Sequence, residues 1–287
     1  MGKIAPGSNK PGRRLLAEGD GWSVADVVCT AGPCDQPFEE QHAGVSIALV
    51  IAGTFQYRTS LYQSSAGGEL MTPGSMMLGN AGHYFECGHE HATGDRCIAF
   101  RFAPEYFERL AFDAGGVKTF RVARLPPLRA TAPLIARACA AVDQALIANW
   151  EDLNVRLGAR VAQIAAGASY EGKAVPGGAT ARVTRAVRKM ERDFAERLEL
   201  AGLAREAHLS PYHFLRTFEG VTGVTPHQFI LRRRLREAAR RLQSERTKVL
   251  DIALGCGFGD LSNFNHAFRG EFRMTPRDYR RLYFAIL

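Results

Sequence analysis

In the first half of the chain, apolar positions come in short runs with a period close to two. Trp22 to Val28, Ser46-Ile-Ala-Leu-Val-Ile51, Phe55-Gln-Tyr-Arg58, Ser75-Met-Met-Leu78 and Cys97-Ile-Ala-Phe-Arg-Phe102 read as strands, with Gly53-Thr54 as the turn between the second and third. Gly67-Gly68, Thr72-Pro-Gly74, Gly79 to Gly82 and Thr93-Gly-Asp95 punctuate them. Short strands at close intervals predict an antiparallel barrel or sandwich rather than a βαβ fold.

The period then lengthens. Pro104 to Leu110 reads as a helix, Thr119 to Ala123 as a last strand, and Leu134, Ile135, Ala138, Val142 and Leu146 form one helical stripe. Leu153, Leu157, Val161 and Ile164 form a second. These two helices either cover their own domain or leave a face for another copy, which makes a homodimer an expected assembly. Residues 168–179, with Gly172, Pro176, Gly177 and Gly178 and no apolar period, read as an interdomain linker.

Beyond the linker the pattern is helical throughout and partly repeated. Thr180 is placed to cap a helix carrying Val183, Val187, Met190 and Phe194, and Leu200 to His208 forms the next. Ser210-Pro211 starts a helix through Val221 with Phe214 and Phe218 inward, and Thr225-Pro226 starts a long one through Leu242. Asp260 caps a helix from Leu261 to Glu271 with Phe264 and Phe268 inward, and Thr275-Pro276 starts a terminal helix. Phe214, Phe218, Gly220, Thr225, Pro226 and Phe229 recur about fifty positions later as Phe264, Phe268, Gly270, Thr275, Pro276 and Tyr279. Two helix-turn-helix units are expected. Tyr212, Leu215 and Arg216 face outward from the first, and Leu261, Ser262, Asn265, His266 and Arg269 from the second.

Charge adds a polarity to this plan. The net charge is +8, yet from Val175 onward 21 Lys and Arg stand against 12 Asp and Glu, so the excess lies in the helical half, where a polyanion would bind. The run Arg232-Arg-Arg234, Arg236 and Arg240-Arg241 is expected to be partly a solvated face and partly a donor to phosphates. At 287 residues the chain is long enough for two cores, and no apolar run approaches the roughly 20 residues a membrane span needs. Residues 1–20 read as a flexible tail without a secretory signal, so a cytoplasmic protein that engages no membrane is expected. Six cysteines are too few for a disulfide scaffold at this size.

One stretch is rich in chemistry: His83 to Cys97. If a strand continued through residue 91, Cys87, His89 and His91 would share a face and the Thr93-Gly-Asp95 turn would return Cys97 beside them, a set suited to zinc or another transition-metal ion. His42, Cys29 and Cys34 are further ligand candidates. Two alternatives stand beside this: a thiol redox pair of Cys87 and Cys97, and a solvated histidine turn next to cysteines that merely fill the core. Trp22, His42, Tyr57, Tyr62, Met71 and Phe85 either line a ligand cavity or belong to the ordinary core.

Ile252-Ala-Leu-Gly-Cys-Gly-Phe258, Ser262-Asn-Phe264, Ala267-Phe268 and Met274-Thr-Pro-Arg-Asp-Tyr279 resemble the DNA-binding domain of the AraC/XylS family of bacterial transcription regulators. Leu203-Ala204, Ser210-Pro211, His213, Arg216, Phe218, Gly223 and Thr225-Pro226 match its first unit. The resemblance implies a cupin-like sensor and dimerisation barrel with flanking helices over 21–167 and an all-α DNA-binding domain over 180–287. It also implies that the protein is not an enzyme, that a small effector is its signal, that double-stranded DNA is its partner, and that RNA polymerase is contacted if it activates. Both recognition helices would enter successive major grooves. Leu215 and Leu261 stand where polar residues are frequent and His266 where arginine is, so the first unit, with Arg216, is the better equipped for base readout. A metal-dependent cupin enzyme using His83, Glu86, His89 and His91 is the competing class; the hairpin lacks the His-x-His pattern with distant Glu and His that such enzymes resemble.

Overall fold

The computed structural model describes residues 11–37, 39–59, 68–89, 91, 93–143, 149–168 and 178–284. Leu146, Tyr62 and most of the expected linker lie outside this set. Among the described residues the first half contains ten strands: β1 (Gly12–Gly19), β2 (Trp22–Cys29), β3 (Glu39–Gln41), β4 (Val45–Gly53), β5 (Phe55–Thr59), β6 (Glu69–Met71), β7 (Met76–Gly79), β8 (Tyr84–Gly88), β9 (Asp95–Phe102) and β10 (Arg124–Leu125). They make a six-stranded sheet in the order β1-β2-β9-β4-β7-β10 and a four-stranded sheet in the order β3-β8-β5-β6, antiparallel at every pairing.

The expected barrel does not close. Among the described residues no ladder joins the two sheets, so β1 and β10 edge one and β3 and β6 edge the other. The large sheet is instead covered on both faces. Ile47, Leu49, Ile98 and Phe100 meet a helical layer, while Ala48, Val50, Cys97 and Ala99 meet Phe55 and Tyr57 of the small sheet. This explains why β4 is buried over six consecutive residues rather than alternately. The small alanines on the inner face leave room between the sheets.

Two further expectations change here. Residues 12–19, read as part of a flexible tail, form β1, paired with β2 from Gly12 to Gly19 with one irregularity near Leu15. The last strand is Arg124–Leu125 rather than Thr119 to Ala123. Ahead of it the side-chain amide of Asn80 replaces a ladder: its Nδ2 donates to the Phe120 carbonyl at 3.0 Å and its Oδ1 accepts from the Phe120 N–H at 2.9 Å.

The helical layer is α1 (Pro104–Asp113), α2 (Ala132–Asp143) and α3 (Trp150–Ala166). Phe107, Ala111, Ile135, Ala138, Leu153, Leu157 and Val161 bury their stripes against the large sheet. The second half consists of α4 (Ala179–Arg192), α5 (Leu200–Glu206), α6 (Pro211–Thr222), α7 (Pro226–Ser244), α8 (Val249–Gly255), α9 (Leu261–Phe272) and α10 (Pro276–Phe284). Gly178, at φ 73°, precedes α4, so Thr180 lies inside the helix rather than capping it; its carbonyl accepts from the Thr184 hydroxyl at 2.8 Å. Two separate cores form. Val183, Met190, Leu203, Phe214, Phe218 and Phe229 build the first, and Leu235, Leu242, Ile252, Phe264, Phe268 and Tyr279 the second. Helix α7 supplies both, through Phe229 at one end and Leu242 at the other, and so fixes one unit relative to the other.

The two halves are joined by specific contacts. Leu70 of β6 enters the first helical core and Ala136 of α2 enters the second. Arg124, with 9% of its side chain exposed, donates to the Thr222 and Val221 carbonyls at 2.7 and 3.2 Å and to Glu69 at 2.9 Å. Arg232 donates to the Pro127 carbonyl at 2.8 Å.

Candidate nucleic-acid interface

Helix α6 is oriented by its apolar side and its cap. The Ser210 hydroxyl accepts from the His213 N–H, Pro211 supplies the first turn without an unused donor, and Phe214 and Phe218 are completely buried. The periodicity then turns Tyr212, Leu215 and Arg216 to solvent: Tyr212 is 63% exposed and Leu215 38%. Arg216 lies above the Tyr212 ring, its Nη1 donating to the phenol oxygen at 3.3 Å. One face of α6 thus offers a guanidinium, a phenol and an aliphatic side chain together.

Helix α9 repeats the construction. The Asp260 carboxylate accepts from the Asn263 N–H at 2.8 Å and sits at the positive end of the helix. Phe264 and Phe268 are buried, Ser262, Asn265, His266 and Arg269 are exposed, and Leu261 is half-buried. The turn before α9 depends on Gly257 at φ 83°, where a Cβ would lie 2.6 Å from the Ala195 carbonyl oxygen. The corresponding turn in the first unit uses His208 at φ 54°.

Beside α9 is a cleft of about 710 Å³ whose lining includes Lys248, Asn265, Arg269, Arg277 and Arg280. Lys248, Arg277 and Arg280 were not singled out by sequence reasoning. Lys248 and Arg277 flank the helix starts of α8 and α10, and that adjacency is the signal that would have found them. Arg232, Arg233, Arg234 and Arg236 of α7, by contrast, are turned inward, while Arg240 is half-exposed. Arg233 pairs with Glu191 at 2.8 Å and lies 4.0 Å from the centre of the Phe194 ring; Arg234 donates to the Phe194 and Glu196 carbonyls at 2.7 and 2.8 Å. Arg236 faces Glu191, Arg240 pairs with Glu237 at 2.6 Å, and Arg241 pairs with Glu245 at 3.0 Å. The first four arginines of the expected solvated or phosphate-facing run form an internal brace, while Arg240 and Arg241 pair with acids on their own stretch of chain.

Residues 203–282 match the family model described as a helix-turn-helix domain. This chain carries an AraC-family helix-turn-helix domain. Over 92 residues it is 37% identical to the probable transcriptional regulator LumQ of Photobacterium leiognathi, a match covering 32% of this chain and 37% of LumQ. It is likewise 37% identical over 92 residues to the transcriptional activator RhaS of Escherichia coli O139:H28, covering 32% of this chain and 33% of RhaS. The matches therefore span about a third of the length of these curated relatives. A crystal structure of a transcriptional regulator from Chromobacterium violaceum, described as containing an AraC-type DNA-binding domain, is 30% identical and covers 37% of this chain and 95% of that one, with a TM-score of 0.35.

Outside the AraC-type domain, the chemistry concentrates between the two sheets. His89 Nε2 lies 2.5 Å from Asp95 Oδ2, and Cys29 completes a group whose ligand atoms all fall within 4.8 Å of one another. The β2–β9 register sets Cys29 directly opposite Asp95. The hydrogen bond to Asp95, helped by Cys29, raises the His89 pKa to about 9. A thiol, an imidazole and a carboxylate at this separation could hold a borderline-soft cation such as zinc.

This is not the set expected from the hairpin. Strand β8 ends at Gly88, so the alternation that would align His91 with Cys87 and His89 stops; His91 is exposed on the turn. Cys87 and Cys97 lie in opposite sheets, and burial pushes both thiols well up, away from the thiolate a metal or redox partner needs. The enzyme set is also dispersed, since Glu86 is held by Arg58 at 2.7 Å and His83 precedes β8. His42 is buried, stacked on Phe85, and its Nε2 lies 3.0 Å from the Tyr57 hydroxyl. That hydroxyl donates to the Leu78 carbonyl at 3.0 Å, so His42 must be the donor to it, with its proton on Nε2. Burial, together with Arg101 and His83, lowers its pKa to about 4. His42, Phe85, Cys87, His89 and Arg101 line one inter-sheet cavity of about 430 Å³; Trp22, Tyr57 and Met71 from the expected cavity set do not line it.

Proposed function

We propose that the chain is a sequence-specific transcription regulator whose two helix-turn-helix units read successive major grooves, and whose first half, over 21–167, senses a small effector and pairs with a second copy. The observation that carries this is the placement of α6 and α9 on one rigid element: each is held by its own core and turns a polar face outward, and α7 belongs to both cores. Arg216 is suited to a bidentate contact with guanine, and the Tyr212 hydroxyl beside it limits the conformations it explores. Lys248, Arg269 and Arg277 are suited to phosphates. A bacterial cytoplasmic location, and contact with RNA polymerase if the protein activates, belong to the same reading.

Footprinting over a salt series tests it. Protection should be confined to a discrete site, and affinity should fall steeply with salt. Arg216→Ala should cost about 1–3 kcal/mol at one base position and relax the preference there, whereas Arg269→Ala should weaken all sequences alike and reduce the salt slope by about one. Uniform protection of any DNA at every salt concentration would refute the reading.

A second reading concerns the signal, and the Cys29, His89 and Asp95 group favours it: the first half responds to a transition-metal ion. Cobalt(II) added to anaerobically purified protein should give a thiolate charge-transfer band that Cys29→Ser removes and Cys87→Ser retains. If Cys29→Ser leaves the band intact, the ion is not held there.

A further inference from the structure

The inter-sheet cavity of about 430 Å³ is the size of a small-molecule site, and its two ends differ in chemistry. Along β9, alternate residues step from Asp95 through Cys97 and Ala99 to Arg101, about 20 Å in all, so Arg101 stands at the end away from the Cys29, His89 and Asp95 group. Between the ends the floor is Ala48 paired with Ala99, with Met77 beside them and Phe55 and Phe85 across from the small sheet. At the Arg101 end three polar side chains converge. Ser46 is directly opposite Arg101 in the β4–β9 register, and Glu40 reaches in from the small sheet, on the same face as Phe85. Glu39, by alternation, turns to the other face with Glu86. Among the described residues none of the Arg101, Ser46 and Glu40 side chains makes a hydrogen bond or ion pair. Arg101 and Glu40 are half-buried rather than sealed, so both remain open to a ligand in the cavity. Burial and the nearby Arg13 weigh against the Arg101 charge, and Glu40 offsets them from beyond ion-pair distance. An arginine and a glutamate on opposed sheets, near enough to act on one another and too far apart to pair, leave a gap for a group that carries both charges.

We infer that this cavity binds an apolar α-amino acid, its carboxylate on Arg101 and Ser46, its ammonium on Glu40, and its side chain over Ala48 and Ala99 against Phe55, Phe85 and Met77. The pairing of charges selects the zwitterion. A plain carboxylate would bring its anion to Glu40 with nothing to offset it, and an amine would leave Arg101 unsatisfied. A sugar would need polar groups along walls that are alanine, methionine and phenylalanine. Ala99 lies about 7 Å along β9 from Arg101, so a single amino acid occupies this end and leaves the Cys29, His89 and Asp95 group untouched. The ligand is thereby the effector of the regulator proposed above, and what it signals rests on that reading; occupancy of the cavity does not.

The test is calorimetric titration of the full chain, without DNA, with L-phenylalanine and L-leucine. Their analogues without the ammonium are 3-phenylpropionate and 4-methylpentanoate, and those without the carboxylate are 2-phenylethylamine and isopentylamine. Saturable one-to-one binding of at least one amino acid is expected, with both of its analogues weaker by about tenfold or more. Arg101→Met should weaken the amino acid and the carboxylate analogue together. Glu40→Gln should weaken the amino acid by about tenfold yet leave the carboxylate analogue bound no more weakly, a split that mere loss of structure would not produce. Glu40 lies on the short strand β3, so its variant keeps the test valid should Arg101→Met unfold. The inference is overturned if neither amino acid saturates at millimolar concentration, if the carboxylate analogues bind as tightly as the amino acids, or if Glu40→Gln leaves amino-acid binding unchanged. Footprinting with and without the bound amino acid reports separately on the regulator reading: binding that leaves DNA affinity unmoved removes the signal and keeps the site.

Discussion

Arg124 offers the sharpest test of how the two halves are joined. Its guanidinium reaches from β10 to the last turn of α6, where the Val221 and Thr222 carbonyls are among those a helix cannot satisfy internally, and where the helix dipole is negative. Arg124→Ala removes two charge-assisted bonds to these carbonyls, at about 1.5 kcal/mol each. It also removes the pair with Glu69, which is a quarter exposed; solvent screening reduces that share to about 0.5 kcal/mol. The two carbonyl bonds alone cross between the halves and amount to roughly 3 kcal/mol of coupling; the Glu69 pair lies within the first half. Both tryptophans, Trp22 and Trp150, lie in the first half, so fluorescence in urea follows that half while far-ultraviolet circular dichroism follows chiefly the helices of the second. In the wild-type protein the two transitions should coincide; in Arg124→Ala they should separate, the helical one moving to lower urea. Coincident transitions with midpoints unchanged within about 0.5 kcal/mol would refute the argument that this side chain joins the halves.

Two further outcomes follow from single positions. Gly257→Ala places a Cβ against the Ala195 carbonyl at a positive φ and should cost about 3 kcal/mol with loss of DNA binding, whereas His208→Gly, at the equivalent turn, should stabilise by up to about 1 kcal/mol; thermal melts of both variants decide. For His42 the folded pKa of about 4 lies below the ordinary imidazole value of 6.5, so its contribution is complete above pH 6.5 and is lost as pH falls towards 4, by up to about 3 kcal/mol. His42→Gln should flatten the wild-type dependence of urea midpoint on pH between those limits, and identical slopes would show that another group is responsible.

What could be read from the chain and what could not divides by distance along it. The starts of α6, α7, α9 and α10 were legible because a cap acts within three residues: Ser210 on His213, Thr225 on Gln228, Asp260 on Asn263 and Thr275 on Asp278. The outward positions followed, since Phe214 with Phe218 and Phe264 with Phe268 fix the rotation of each helix. The inter-sheet cluster was half legible. His89 was found, but Cys29 is paired with Asp95 by a β2–β9 register that no local pattern contains, and the end of β8 at Gly88 removed His91 from the face it was assigned. The barrel failed for a similar reason: alternation gives each strand two faces without saying that helices α1 to α3 will cover the second.

The arginines of α7 carry the most consequence. A run of basic side chains on an exposed-looking helix is ordinarily solvated or offered to phosphate, and nothing nearby in sequence contradicts that. The partners arrive from elsewhere: Glu191 from α4, the Phe194 and Glu196 carbonyls beyond it, and the Pro127 carbonyl from the other half of the protein. Charge that composition assigns to DNA is therefore largely spent inside the molecule, on holding α7 to α4 and to the sheet domain. Lys248, Arg269, Arg277 and Arg280 line a cleft beside α9. Under the function proposed above, the first unit selects through Arg216 and the second anchors through Lys248, Arg269 and Arg277. Helix α7 joins them, and its arginines Arg232, Arg233 and Arg234 hold it to the sheet domain, to α4 and to the segment that follows α4.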